Sequence, residues 1–257
     1  MQKAVEIVSQ GKVLRGMLHT PENMMGKVPA VLLFHGFTGN SMEPHFVFVK
    51  LSRYLEKIGI ASVRFDFAGS GESDGDFIDM TMSNELSDAH NILDFVKTLD
   101  IIDNNRIGLI GLSMGGAIAS MLAGQRNSEI RTLCLWAPAG TMADTVSERY
   151  VGERLPEMTE KGWLDIGGLA LGLDFLKDIS NLDIYQRAAG FDKSVFIIHG
   201  ELDQTVPIKA SEMYLDIYGY RAKLHIIKGG DHLFSSLRIE AEVIEKTAEF
   251  LKKELFE

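Results

Sequence analysis

Cysteine is almost missing from this chain of 257 residues: Cys134 stands alone, so no intrachain disulfide can form. Its surroundings, Arg131-Thr-Leu-Cys-Leu-Trp136, are apolar and read as the setting of a buried core thiol. Long apolar runs are missing too. No stretch approaches about 18 uninterrupted apolar residues, and Met1 to Gly11 has no apolar core of signal-peptide length. The expectation is a soluble, cytoplasmic protein. Basic residues are outnumbered, 26 Lys and Arg against 36 Asp and Glu, giving a formal charge of −10. Nucleic acids and anionic membranes both want a basic face, so neither is expected as a partner. The histidines are scattered without ligand spacing, which argues against a metal centre. There is no Gly-Lys-Ser/Thr for a phosphate loop. In Gly69-Ser-Gly71-Glu-Ser-Asp74 an aspartate stands where a dinucleotide fingerprint needs its third glycine. No cofactor is expected, and no internal repeat or low-complexity segment is visible.

What is present is a core. With 46% hydrophobic and 24% charged residues, the chain can fill one large α/β unit. Residues 3–8 and 12–19 alternate loosely around Gly11 and predict an antiparallel hairpin. Buried strands are predicted at Pro29 to Phe34, Ile60 to Phe65, Arg106 to Ile110, Arg131 to Trp136, Ser194 to His199 and Lys223 to Lys228. Helical spacing falls between them, at 46–58, Asn84 to Leu99, Pro207 to Tyr218 and Leu237 to Leu255. Such alternation predicts a mostly parallel sheet flanked by helices. One interval, Ala137 to Lys193, breaks the rhythm and has no buried strand pattern. It is expected to be a small cap, residues 138–193, inserted over a core formed by 1–137 and 194–257.

The most informative stretch is Arg106-Ile-Gly-Leu-Ile-Gly-Leu-Ser-Met-Gly-Gly116. A buried strand runs into Gly111-Leu112-Ser113-Met114-Gly115, and apolar residues at helical spacing follow. A G-x-S-x-G at a strand-to-helix turn predicts a nucleophile elbow, which lifts the serine hydroxyl above the sheet at a helix N-terminus.

A serine hydroxyl is a poor nucleophile at neutral pH and needs a base and a group to orient it. On such an elbow the acid and the histidine follow the serine in chain order. Three histidines follow Ser113. His225 lies mid-strand and His199 ends a strand. His232, in Gly229-Gly230-Asp231-His232, sits in the loop before the last helix and is the expected base. The loop after His199 offers Glu201 and Asp203, and Asp231 is a third carboxylate. Asp203, at the tip before a proline-opened helix, is the expected acid, with Glu201 as runner-up. The oxyanion hole is expected from the backbone N–H groups of Met114 and Phe37.

His35-Gly36-Phe37-Thr38-Gly39, Arg64-Phe-Asp66-Phe-Ala-Gly69-Ser-Gly71-Glu-Ser73-Asp74-Gly75, the elbow, Ala137-Pro138-Ala139, His199-Gly200…Asp203 and Gly230-Asp231-His232 occur together here. The combination resembles the α/β-hydrolases, and within them the bacterial cinnamoyl (feruloyl) esterases, which are similar to monoacylglycerol-lipase-like serine hydrolases. The resemblance covers essentially the whole chain. It departs at the nucleophile, where Leu112 and Met114 replace the histidine and glutamine common in that branch. The resemblance implies a carboxylic ester hydrolase working through an acyl-enzyme, without metal or cofactor, on a small-molecule hydroxycinnamoyl or similar ester. Monoacylglycerol lipase and aminopeptidase-like activity are the alternatives, and a binding-only relative is a further one. Cap residues Tyr150 and Trp163 for stacking, and Asp144 for a phenolic hydroxyl, are the expected substrate contacts. A homodimer is the assembly left open.

Overall fold

The computed structural model describes residues 1–22 and 25–257. The chain opens with the expected hairpin, β1 (Gln2–Ser9) and β2 (Lys12–His19), turned at Gly11 with φ 79°. It continues through β3 (Val28–Phe34), α1 (Val47–Lys57), β4 (Ala61–Phe65), α2 (Met82–Lys97), β5 (Ile102–Leu112), α3 (Met114–Gln125) and β6 (Thr132–Trp136). After a long excursion it closes with β9 (Val195–Gly200), α8 (Ile208–Tyr218), β10 (Ala222–Ile227) and α9 (Leu237–Phe256). The described strands of the core form one eight-stranded sheet, ordered β1-β2-β4-β3-β5-β6-β9-β10. β1, β2 and β4 pair antiparallel, and every pairing from β4 to β10 is parallel. The parallel strands therefore all end on one edge, where loops gather ligand and catalytic groups in folds of this class.

Alternation along each central strand fills two apolar layers. Ala30, Leu32 and Phe34 of β3 face α2 and α3, while Val31 and Leu33 face α1 and α9. The second layer holds Cys134, fully buried, with its thiol pushed up to about 12 by burial. Trp136 Nε1 donates to Thr247 Oγ1 at 3.0 Å there and ties β6 to α9. Caps explain where the helices begin. Thr81 Oγ1 accepts from Asn84 N and starts α2 two residues before the expected Asn84, and Ser236 Oγ caps α9. β5 also starts earlier than Arg106. Val28 pairs with Ile102 and Ala30 with Ile107, so the polar residues 103–106 bulge out of register and hide the strand's first turn of pairing.

The excursion contains α4 (Met142–Val146), α5 (Leu155–Lys161), a small hairpin of β7 (Trp163–Asp165) and β8 (Ala170–Gly172), α6 (Leu173–Ser180) and α7 (Ile184–Ala188). Its last element packs onto the core: a Cβ on Gly124 of α3 would overlap the carbonyl of Arg187. The hairpin rests on the loop before α2, where Gly172 lies against Ile78 O. No helix among the described residues is long and apolar enough to cross a membrane.

Candidate active site

Ser113 occupies the one residue between β5 and α3, at φ 56° and ψ −119°. For a side-chain-bearing residue this is a strained conformation, which persists only when the surroundings enforce it. The enforcing contacts are close. A Cβ on Gly111 would overlap the carbonyl of Gly115, and one on Gly115 would overlap the carbonyls of Phe34 and His35. Ser113 N donates to Trp136 O at 2.8 Å, and Ser113 O accepts from Ala139 N at 2.9 Å. The serine hydroxyl does not cap the helix it precedes, so it is not consumed by the local fold. Non-glycine residues with positive φ concentrate at this sheet edge. Apart from Gln10 in the turn between β1 and β2, those among the described residues are Thr38, Glu43, His45 and Phe46 after β3, Ser113 itself, Ala137 after β6, and Phe234 just beyond His232.

Two loops bring His232 and Asp203 together. Leu202 N donates to Gly230 O at 2.7 Å, and Glu201 N donates to Ile227 O at 3.0 Å, which zips the loop after β9 to the loop after β10. Gly200 is required where they cross, because a Cβ there would press on the Gly230 and Asp231 carbonyls. The result is a hydrogen bond of 2.7 Å from His232 Nδ1 to Asp203 Oδ2. The Asp203 side chain is 1% exposed and that of His232 12%. Asp203 Oδ1 accepts from Thr205 N at 2.8 Å and Val206 N at 2.9 Å. Burial alone would raise the Asp203 carboxyl. Hydrogen bonds from His199 and His232 outweigh it and hold the group well below the usual carboxylate range. A carboxylate accepts only, so His232 carries its proton on Nδ1 and keeps the Nε2 lone pair free to take another.

The other candidates lie elsewhere. His199 is fully buried behind Asp203, with Nδ1 2.7 Å from Ser211 Oγ and Nε2 3.0 Å from Val206 O and 3.3 Å from Asp203 Oδ2. His225 pairs with Glu242 of α9 at 3.0 Å. Glu201 Oε2 accepts from Gly229 N, and Asp231 Oδ1 accepts from Ser235 N, so both carboxylates build turns.

The loop after β3 lies against the serine. A Cβ on Gly36 would sit 3.3 Å from Ser113 Cβ. His35 is buried and bonded at both ends: Nδ1 donates to Gly36 O at 3.0 Å, and Nε2 accepts from Phe67 N at 3.1 Å. Burial lowers its pKa and keeps it neutral. Gly36 N donates to Glu43 Oε1 at 2.5 Å. The amide of Phe37, one residue on, takes no backbone or side-chain acceptor among the described residues. Met114, first residue of α3, has an N–H that helix geometry leaves without a partner.

Phe37 is the centre of an aromatic cluster. Its ring lies 5.7 Å from Phe77, 5.6 Å from Tyr150 and 5.4 Å from Phe175. Of the three excursion residues expected at a substrate, Tyr150 is the one whose ring meets this loop. Trp163 lies on β7, 38% exposed, and Asp144 is exposed on α4. Phe77, Phe175 and Glu43 were not legible as site residues. None of the three belongs to a motif in the sequence, and each meets its partner only through the fold. Two surface hollows, of about 590 Å³ beside Arg53 and Glu56 and about 530 Å³ beside Tyr220 and Phe250, are not lined by Ser113, His232 or Phe37.

Comparisons agree with this architecture. Est1E from Butyrivibrio proteoclasticus, solved with ferulic acid bound, superposes with a TM-score of 0.88 at 28% identity, covering 98% of this chain and 100% of that one. Mouse alpha/beta hydrolase domain-containing protein 10 superposes with a TM-score of 0.78 at 21% identity, covering 98% and 99%, and shares the fold. By sequence, the mitochondrial palmitoyl-protein thioesterase ABHD10 of Mus musculus is 25% identical over 219 residues, 82% of this chain and 71% of that protein. A 31.7 kDa Escherichia coli protein encoded in the traX-finO intergenic region is 34% identical over 101 residues, 38% of this chain. That match spans about a third of the relative's length, 34%. Residues 47–257 match the model of the prolyl oligopeptidase family. The fold is that of the α/β-hydrolases, and the chain belongs to the prolyl oligopeptidase family.

Proposed function

We propose that the chain hydrolyses carboxylic esters through an acyl-enzyme, with Ser113 as nucleophile, His232 as base and Asp203 as the carboxylate that fixes the imidazole. The supporting observation is the 2.7 Å hydrogen bond between Asp203 and His232 on the sheet edge that carries the strained serine. Ser113 Oγ attacks the ester carbonyl and its proton passes to His232 Nε2. The charge on the carbonyl oxygen is received by the amides of Phe37 and Met114. Collapse expels the alkoxide, which takes the proton back from His232. Water then gives a proton to His232 and attacks the acyl carbon; collapse of that intermediate releases the acid and expels the Ser113 oxygen, which takes the proton back from His232.

The acyl group in this reading is flat and apolar, of the hydroxycinnamoyl kind. Support comes from the rings of Phe77, Tyr150 and Phe175 around Phe37, and from the 28% identity to a protein solved with ferulic acid. Residues 138–193 act as the cap over this aromatic cluster, since Tyr150 and Phe175 both come from it. A thioester of a longer acyl chain is the second reading, favoured by the palmitoyl-protein thioesterase among the relatives. Initial rates on methyl ferulate, a nitrophenyl acetate, a monoacylglycerol and an acyl thioester separate these. Methyl ferulate is expected to give the highest kcat/KM. A lead for the glyceride or thioester contradicts the aryl assignment, and no turnover of any of them contradicts the esterase.

A further inference from the structure

Glu43 is a buried carboxyl that the proposed reaction does not use. It is 7% exposed, and its backbone sits at φ 57° and ψ 161°, a region that almost only glycine adopts. Its neighbours share the strain, with positive φ at Thr38, His45 and Phe46. Each turn of the segment is pinned. Gly39 N donates to Gly36 O at 3.0 Å, Glu43 N donates to Asn40 O at 3.0 Å, and Ser41 N donates to Asp66 Oδ1 at 2.6 Å. What this arrangement accomplishes is a short reach backwards: Glu43 Oε1 accepts the Gly36 amide at 2.5 Å. The same oxygen would lie 3.6 Å from a Cβ on Gly36, and that Cβ position is 3.3 Å from Ser113 Cβ.

The consequence concerns which amide is free. In the loop His35-Gly36-Phe37, two neighbouring N–H groups could turn toward a developing oxyanion. Glu43 occupies the first, and the second, on Phe37, is left without an acceptor among the described residues. We infer that Glu43 is the positioning residue of the oxyanion loop: by holding the Gly36 amide on the side away from the substrate, it aims the Phe37 amide at the oxyanion. The inference rests on the esterase reading above. An anion behind the hole would oppose the charge the hole must stabilise. Burial, partly offset by the Gly36 N–H, pushes the Glu43 carboxyl up to about 7, so the neutral acid is within reach at working pH and still accepts the amide. Strain at this position is thus coupled to a specific contact rather than to loop irregularity.

Two substitutions separate reach from charge. Glu43→Gln keeps the side-chain length and an acceptor oxygen. Glu43→Asp keeps the carboxylate but shortens it by a methylene, so it no longer meets Gly36 N. On a nitrophenyl ester, Glu43→Gln should retain kcat within about 3-fold. Glu43→Asp should lose about 10- to 100-fold in kcat with little change in KM, less than removal of a hole donor outright. The rate at which a fluorophosphonate labels Ser113 should fall in parallel. A side chain that only braces the fold would lower Tm in both variants and leave kcat per folded molecule unchanged, which overturns the inference. Loss of kcat in Glu43→Gln as large as in Glu43→Asp overturns it as well. Should Glu43→Asp not fold, amide exchange in the unmodified protein decides. A protected Gly36 amide supports the inference, and exchange at open-loop rates overturns it. Fluorophosphonate labelling that persists in Ser113→Ala would instead sink the esterase reading itself.

Discussion

His232 Nδ1 lies 2.7 Å from Asp203 Oδ2, and the two residues belong to separate loops, after β10 and after β9, that are hydrogen-bonded to each other. Asp203 is further held by two backbone amides, from Thr205 and Val206, and lies 3.3 Å from His199 Nε2. The imidazole is therefore oriented by a carboxylate that cannot rotate away without breaking three other contacts. The catalytic expectation follows from that rigidity.

Asp203→Asn preserves shape but removes the acceptor that fixes the tautomer of His232. In the acyl-enzyme account, kcat on an activated ester should fall by roughly 10³- to 10⁴-fold while the fold persists. Steady-state kinetics with a circular dichroism control measure this. A loss under about 10-fold would show that the imidazole does not depend on Asp203.

The same carboxylate makes stability depend on pH in a defined direction. Its folded-state pKa is depressed, so its contribution is complete above the ordinary aspartate value of about 4 and disappears as pH falls further. The Tm of the unmodified protein should drop more steeply than that of Asp203→Asn as the pH falls from about 4 toward about 2. Parallel Tm curves for the two proteins would contradict the assignment of the depressed group.

Gly115→Ala places a methyl group on the Phe34 and His35 carbonyls, where the neighbour is backbone and cannot swing aside. The expected cost is about 3 kcal/mol or more, at the upper end for an overpacked site, and measurable from the urea midpoint. A change below about 1 kcal/mol would mean that strand and helix do not approach as closely as described.

Phe37→Leu alters the ring at the centre of the aromatic cluster and leaves the Phe37 amide position in the chain. Turnover of nitrophenyl acetate should stay within about 3-fold, while kcat/KM on methyl ferulate falls by about 10-fold or more. Equal losses on both esters would place Phe37 in the general machinery and not in acyl recognition.

Much of this architecture was legible because its signals are local. β3, β4 and β6 are buried on both faces; β3 reads as an unbroken apolar run and β6 nearly so, while β4 carries Ser62 and Arg64 between its apolar residues, and the elbow announces itself through Gly111 and Gly115, which nothing larger can replace. The Asp203–His232 pairing was legible through chain order and loop position. Other features were not. Residues 103–106 bulge from the sheet and disguise the start of β5. Helices α4 to α7 and the hairpin of β7 and β8 are too short to show a period, and their packing on α3 and Ile78 is set by the core beneath. Phe77 and Phe175 meet Phe37 only through the fold. Glu43 finds its partner seven residues back, through a strained backbone that no propensity favours.

The most direct test of the central claim is the chemical fate of Ser113 during turnover. Brief exposure to an activated ester, acid quenching and peptide mass analysis should show the acyl mass on the peptide containing Ser113. The adduct should be absent in Ser113→Ala, whose turnover should fall by at least about 10⁴-fold. Turnover that survives in Ser113→Ala, or the same adduct on another residue, would contradict the acyl-enzyme account.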